Sequence, residues 1–214
     1  MNYSPKLLAG IGLFGMLCAL VADVLSLLPI AEGFPPDFAF TPDFGLVARL
    51  LDLKPAGPST AGHFLAVFGI PLGFAGLFSV HRELRSAPSP WRELVVFLAG
   101  FGLALAISFH GSFAFGAQGV GEETFRKLVE PLAFATYACV LASGAVLLLL
   151  VAGGKSSYSR WTALISPLPL HLVLGGTALA VGGGPGASLY VTMTSLSLAV
   201  WFGVTVLQAQ DAGF

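Results

Sequence analysis

Residues 7–28 read LLAGIGLFGMLCALVADVLSLL, an apolar run interrupted by a single charge at Asp23. An α-helix rises about 1.5 Å per residue, so roughly 20 apolar residues cross the ~30 Å hydrocarbon core of a bilayer. This run is long enough to do so. It exceeds the apolar region of a secretory signal, and no clear small-residue cleavage site follows, so a retained first helix is expected. The same reading applies five more times along the chain. The predicted spans are Lys6–Leu28, Ala61–His81, Trp91–Ala117, Pro131–Ala152, Trp161–Val181 and Gly186–Leu207. Gly and Pro inside them are tolerated, because membrane helices accept both.

Composition agrees. Of 214 residues 56% are hydrophobic and 10% charged, more apolar surface than a soluble domain of this size can hide. The expected fold class is all-α: a polytopic six-helix transmembrane bundle, one integral membrane domain over residues 1–214. Ten basic and 11 acidic residues leave no basic stripe for nucleic acid. Cys18 and Cys139 lie inside apolar segments with no metal-ligand spacing, so neither a disulfide framework nor a zinc site is indicated.

Orientation follows from the basic residues. Lys6, Arg82, Arg85, Arg92, Lys155 and Arg160 fall on one side, in short connections where the positive-inside rule applies best. Arg49, Lys54, Arg126 and Lys127 fall on the other, offset by neighbouring acids. Both termini are therefore expected in the cytoplasm, with the chain in the cell's inner (plasma) membrane. Trp91 and Trp161, with Tyr158 close by, read as headgroup-level anchors on the cytoplasmic side.

The one long connection, Ala31 to Thr60, is rich in Pro, which rules out continuous helix over most of it. Phe44, Val47, Leu50 and Leu51 recur at helical spacing, with Asp43 placed as an N-cap. One short external interfacial helix over Asp43–Lys54 is predicted. Phe34, Phe38, Phe40 and Phe44 either dip into the interface or cover the helix ends, or form a lid over an outward-facing cavity.

Ionisable groups at membrane depth are costly and usually face the bundle interior, which makes them candidates for function. The helix rise places Asp23 about 25 Å beyond Lys6, and His110 about 25 Å beyond Glu93. His63 enters the second span within its first turn. All three fall in the outer leaflet. Ser108, Ser112, Tyr137 and Tyr190 lie at similar height, and with Asp23, His63 and His110 they form the candidate ligand-binding set. Glu130 is placed at the entry of the fourth helix, and His171 near mid-membrane behind Pro167 and Pro169. Two His and a carboxylate could in principle hold a metal, but they come from three helices without local spacing, so no metal or cofactor is expected. Gly10, Gly12 and Gly15 on the first helix and Gly69, Gly73 and Gly76 on the second give smooth faces that bring these helices, and Asp23 with His63, together.

The segments Gly62-His63-Phe64-Leu65-Ala66-Val67-Phe68-Gly69-Ile70-Pro71-Leu72-Gly73 and Ser108-Phe109-His110-Gly111-Ser112-Phe113-Ala114-Phe115 resemble the second and third helices of a bacterial family of multi-span membrane proteins of unknown function. The resemblance covers about a quarter of the chain. It implies the same broad architecture, directs attention to His63 and His110, and carries no activity.

Three functions remain open at this level. The leading one is a pocket binding or translocating a small amphipathic or lipid-like molecule. The second is a membrane-embedded acid–base enzyme (an isomerase, cyclase or hydrolase) using Asp23 with His63 or His110; it requires Asp23 within reach of a His on a shared cavity. The third is a scaffold or partner subunit, in a homo-oligomer or with another membrane protein, docking through the glycine faces. Membrane lipid is the expected surrounding partner in every case.

Overall fold

The computed structural model describes residues 3–39, 42–43, 46–47, 49–50, 57–116 and 122–209. All regular structure among them is helical. Seven α-helices are described: α1 (Pro5–Leu27), α2 (Gly57–Gly69), α3 (Gly73–Glu83), α4 (Ser89–Gly116), α5 (Glu122–Ala152), α6 (Pro167–Val181) and α7 (Gly183–Gln208). A 3-10 turn, Ile70–Leu72, joins α2 to α3 around Pro71, so the two act as one interrupted segment. Five segments are long and apolar enough to cross a membrane: α1, α2 with α3, α4, α5 and α7. Bulky apolar side chains also point outward, with Phe14, Leu17, Val21 and Val24 lining the exposed face of α1. Their spacing of three and four residues is one helical stripe. An apolar exterior over an apolar interior is consistent with an integral membrane protein.

The count differs from six at the fifth expected span. Trp161–Val181 is not one helix. Arg160–Ile165 is a 3-10 turn, Ser166 is extended (φ −69°, ψ 162°), and only then does α6 begin. Pro167 explains the break, since a residue before proline is pushed out of the helical region. The 15 residues of α6 rise only about 22 Å, short of the hydrocarbon core. Two further expectations are corrected. Glu130 does not start a helix, because α5 begins at Glu122 and runs through Pro131; the carbonyl left without a donor belongs to Lys127, at the exposed end of the bundle where water can meet it. Tyr158 is not an interfacial anchor: it is 3% exposed, packs on Trp201 at 4.7 Å and shares a 2.9 Å hydrogen bond with Thr205. Trp91 and Trp161 are exposed.

The predicted helix over Asp43–Lys54 lies largely outside the described residues. Leu46, Val47, Arg49 and Leu50 are helical, and the Leu46 amide donates to Asp43 Oδ1 at 3.1 Å, as an N-cap would have it.

The helices close into a ring. α1 packs on α2, α3 and α7; α4 packs on α2, α3 and α5; α6 joins α5 to α7. Glycine sets the closest approach. A Cβ on Gly12 would stand 2.5 Å from the Gly76 Cα, one on Gly15 2.6 Å from the Gly69 carbonyl, and one on Gly62 2.7 Å from the Ala22 carbonyl. The backbones of α1 and the α2–α3 segment thus touch along their length. Gly10 does not take part, having open space around it.

The passes alternate, so the ring has two distinct ends. At the basic end, Arg82 Nη1 donates to the Tyr3 carbonyl at 2.9 Å, His81 meets Glu93 at 3.1 Å, and the Ser159 amide donates to Gln208 Oε1 at 3.2 Å. At the opposite, loop end, a second apolar cluster forms from Ile30, Phe34, Phe38, Phe113, Val129 and Ala187. Phe34 and Phe38 contact each other at 4.5 Å and are buried, so this described stretch of the Pro-rich connection folds down as a plug. Phe40 and Phe44 lie outside the described residues. The α6–α7 turn holds the plug: Gly182 adopts φ +64°, and the Gly183 amide donates to the Pro36 carbonyl at 3.3 Å. A positive φ favours glycine.

Candidate functional site

Directly beneath the plug, polar side chains from four helices meet. Asp23 lies one turn from the end of α1, on the buried face that also carries Met16 and Ala19. His63 sits in the second turn of α2, next to the Gly62 contact that presses α2 on α1. His110 shares the inner face of α4 with Leu103 and Phe113. Ser195 comes from α7. Each sequence pattern repeats at three or four residues, so one face of each helix supplies both core and polar group.

The side chains form one chain of contacts. Ser195 Oγ donates to Asp23 Oδ2 at 2.7 Å. Asp23 Oδ1 stands 3.5 Å from His110 Nε2, longer than an ordinary hydrogen bond. His110 Nδ1 lies 3.1 Å from His63 Nδ1. Asp23, His63 and His110 are 4%, 5% and 7% exposed. The rings are held by aromatics: His63 stacks on Phe113 at 4.7 Å and 10°, and Phe109 meets His110 edge-on at 5.2 Å. His63 Nε2 is buried and has no hydrogen-bond partner among the described residues.

Two cavities flank this chain. The larger, about 60 Å³, is bounded by Asp23, His110, Thr136, Tyr137 and Ser195 among apolar neighbours such as Leu103. The smaller, about 30 Å³, lies toward the plug between His63, Ser26, Val47 and Phe113. Asp23 and His110 border both and form the partition.

Of the seven predicted site residues, Asp23, His63 and His110 come together as expected, and Tyr137 reaches the larger cavity. Tyr190 stands behind Tyr137, with ring centroids 5.8 Å apart, and edges Phe38 of the plug at 6.5 Å. Ser108 and Ser112 are not brought to the site. Their hydroxyls donate to the carbonyls one turn back, Ala104 and Ser108, at 3.1 and 2.9 Å, on a face turned away from His110. Sequence reading missed Ser195. Its signal was present, as it follows Thr194 at the same height and shares a helical face with Val191 and Leu198.

His171 is buried elsewhere, between α6 and α7. Its Nδ1 lies 3.1 Å from the Pro167 carbonyl and 3.0 Å from Ser197 Oγ, and its Nε2 lies 3.1 Å from Thr194 Oγ1.

The arrangement constrains chemistry. A neutral imidazole carries one N–H and one lone pair, so of two Nδ1 atoms in contact one donates and the other accepts. The histidines are thereby held in opposite tautomers. A metal ion touching both Nδ1 atoms would stand on the edge of His110 away from Asp23, so the three residues do not converge on one ion. Comparison with protein families, with curated proteins and with solved structures gave no match.

Proposed function

We propose that the pocket at the loop end binds or translocates a small amphipathic or lipid-like molecule, with its polar end against Asp23, His110, Tyr137 and Ser195. The observation that carries this reading is the convergence of these groups on one mostly apolar cavity within the bundle, the general form of a ligand site. A volume of about 60 Å³ holds a few water-sized groups, not a whole lipid. The polar end therefore enters, and the tail leaves between helices. In this reading the basic end faces the cytoplasm and the plug faces outward. With Cys18 and Cys139 replaced, a Lys155→Cys variant should resist impermeant thiol reagents in intact cells while Glu123→Cys reacts; the opposite pattern inverts the orientation.

Extraction and mass spectrometry of the purified full chain tests the pocket. A molecule enriched over bulk lipid, and lost in His110→Ala, is the expected result. Only bulk lipids, unchanged by His110→Ala, would remove the reading.

A second reading, a membrane-embedded acid–base enzyme, is favoured by Asp23 standing 3.5 Å from His110 with both on a shared cavity. A scaffold reading draws no support from Gly69 and Gly73, which already meet Cys18 and Met16 of α1, and would have to rest on open positions such as Gly10.

A further inference from the structure

A wider cavity lies on the outside of the bundle, away from the polar site. It is a groove of about 260 Å³ between α3 and α4, walled by Phe74 and Phe78 on one side and by Val96, Phe97 and Phe101 on the other. We propose that this groove binds an anionic phospholipid of the leaflet at the basic end, with one acyl chain between the phenyl rings and the phosphate against Arg92 and Arg85. The inference goes beyond the polar cavity and stands whatever occupies that cavity.

The sequence builds the groove. Val96 and Gly100, like Phe97 and Phe101, are four residues apart, so they form one stripe along α4, as Phe74 and Phe78 do on α3. The Phe97 and Phe101 rings are parallel, with centroids 6.2 Å apart, and make one flat wall. Gly100 keeps the floor low. A Cβ there would stand 3.4 Å from the Phe74 ring, so a longer side chain would enter the groove. Phe78, Phe97 and Phe101 remain exposed at 64%, 67% and 50%. Such a surface disfavours water and accepts hydrocarbon.

The same stripe then changes chemistry. One turn before Val96 and Phe97 come Arg92 and Glu93, and one turn beyond Phe78 comes His81. His81 Nε2 meets Glu93 Oε1 across the two helices at 3.1 Å, and Arg92 Nη2 donates to the same oxygen at 2.8 Å. This polar bar closes the groove at the basic end. From Arg92 to Phe101 the helix rises about 14 Å, close to one leaflet of a ~30 Å hydrocarbon core. Trp91, exposed beside Arg92, suits the headgroup level. An apolar trough one leaflet deep that ends on charges matches a phospholipid with one chain inside and its head at the interface.

Charge decides the headgroup. Arg92 and the exposed Arg85 of the α3–α4 turn stand against the one exposed carboxylate of Glu93. Arg82 is turned to α1, where it donates to the Tyr3 carbonyl, and the buried Glu83 carboxylate accepts from Ser157 Oγ. Neither alters the balance, so the mouth is net positive even with His81 neutral. Arg92 spends two of its five N–H donors on Glu93, and an exposed pair of this kind is weak enough for a phosphate to share. A zwitterionic head would bring its own cation to the same arginines and lose the advantage.

Photolabelling of the full chain in phosphatidylcholine nanodiscs tests the proposal, with a trace of phosphatidylglycerol carrying a diazirine on one acyl chain as the probe. The label should map to the groove walls on α3 and α4. Unlabelled phosphatidylglycerol should displace it about tenfold more effectively than the same amount of phosphatidylethanolamine, because each arginine near the surface adds to the attraction for an anionic head. Gly100→Leu, which fills the floor, should lose the groove label while the exposed face of α1 around Phe14 labels as before. The double variant Arg85→Gln with Arg92→Gln changes only the surface; it should keep a groove label and lose the preference between the two lipids. Equal displacement by both lipids, a preference that survives the double variant, or label spread evenly over α1 and the groove would each overturn the proposal. So would a groove label that persists in Gly100→Leu, or a groove that never labels because a second copy of the chain covers it, seen as a disulfide dimer through Phe97→Cys.

Discussion

The molecule buries histidine in two places, and they differ in partners more than in burial. His171 is 3% exposed and His63 is 5% exposed. Around His171 both nitrogens are bonded, by Pro167 and Ser197 on one side and Thr194 on the other, all from α6 and α7. Two adjacent helices are stapled through one ring. Around His63 and His110 the contacts run in series across α7, α1, α4 and α2, and they end on a nitrogen with no partner among the described residues. The first arrangement is closed and has nothing left to give. The second is open at one end: its last nitrogen is left unsatisfied. Depth in the membrane therefore does not tell the two histidine sites apart; what differs between them is whether every polar atom of the ring is satisfied.

The largest effect that could break this contrast is on the closed site. His171→Ala removes the ring's bonds to Thr194, Ser197 and the Pro167 carbonyl, of which Ser197 keeps its bond to the Thr194 carbonyl, and opens a void between α6 and α7. Hydrogen bonds in membrane bundles are worth about 0.6 kcal/mol on average, orphaned buried groups cost about 1–3 kcal/mol, and the cavity adds to both. A loss of about 2–4 kcal/mol is expected in denaturant unfolding from mild detergent. Capture of the pocket's ligand should be unchanged in the folded fraction. A variant that is fully stable yet loses ligand would place His171 in the functional site and erase the contrast.

His110→Ala should show the reverse balance. It removes both the Asp23 and the His63 contacts, but the existing cavity of about 60 Å³ simply widens. A stability loss of about 1–2 kcal/mol is expected, with at least a tenfold fall in co-purified ligand. Equal stability losses for His110→Ala and His171→Ala, with ligand retained in both, would make the two sites alike.

Much of this is legible in the sequence. The apolar runs fixed the helical class, and the glycines of the first two predicted spans placed Asp23 beside His63 because small residues permit backbone contact. Depth counted along each helix brought His110 to the same level. What was not legible is direction around the helix axis. Ser108 and Ser112 flank His110 in sequence, but at two residues' distance they lie about 200° away on the helix and face out. Ser195 was passed over for the converse reason, since its partner Asp23 lies across the ring in another helix. The break at Ser166 was hidden by uniform hydropathy, where only Pro167 marked it. Tyr158 looked interfacial by its position in the chain, and the buried ring of Trp201 explains why it is not.

A smaller and more pointed effect is expected from His63→Phe. The new ring keeps the stack on Phe113 and removes the nitrogen that lacks a partner, so one destabilising feature disappears. It also leaves His110 Nδ1 without its neighbour, which opposes the gain. The net change in stability should lie within about 1 kcal/mol of zero. Capture of the pocket's ligand should change by less than twofold, because His63 does not line the larger cavity. A tenfold loss of capture would place the ligand in the smaller cavity, which His63 does line.

The smallest effect is the control that sharpens all the others. Ser108→Ala and Ser112→Ala each remove a hydroxyl bonded only to the carbonyl one turn back on α4. That carbonyl keeps its ordinary helical partner, and the hydroxyl bond is one that slightly bends a helix when present. Each change should therefore move stability by less than about 0.5 kcal/mol, the range of substitutions away from any packed or networked feature. Ligand capture should match the unaltered protein. These two serines sit within two residues of His110, so they separate proximity in sequence from membership of the site. A tenfold loss of capture in either would show that α4 turns its other face to the ligand. The larger cavity would then not be where binding occurs, and the contrast between the open and the closed histidine sites would have to be redrawn around the lipid-facing surface of that helix.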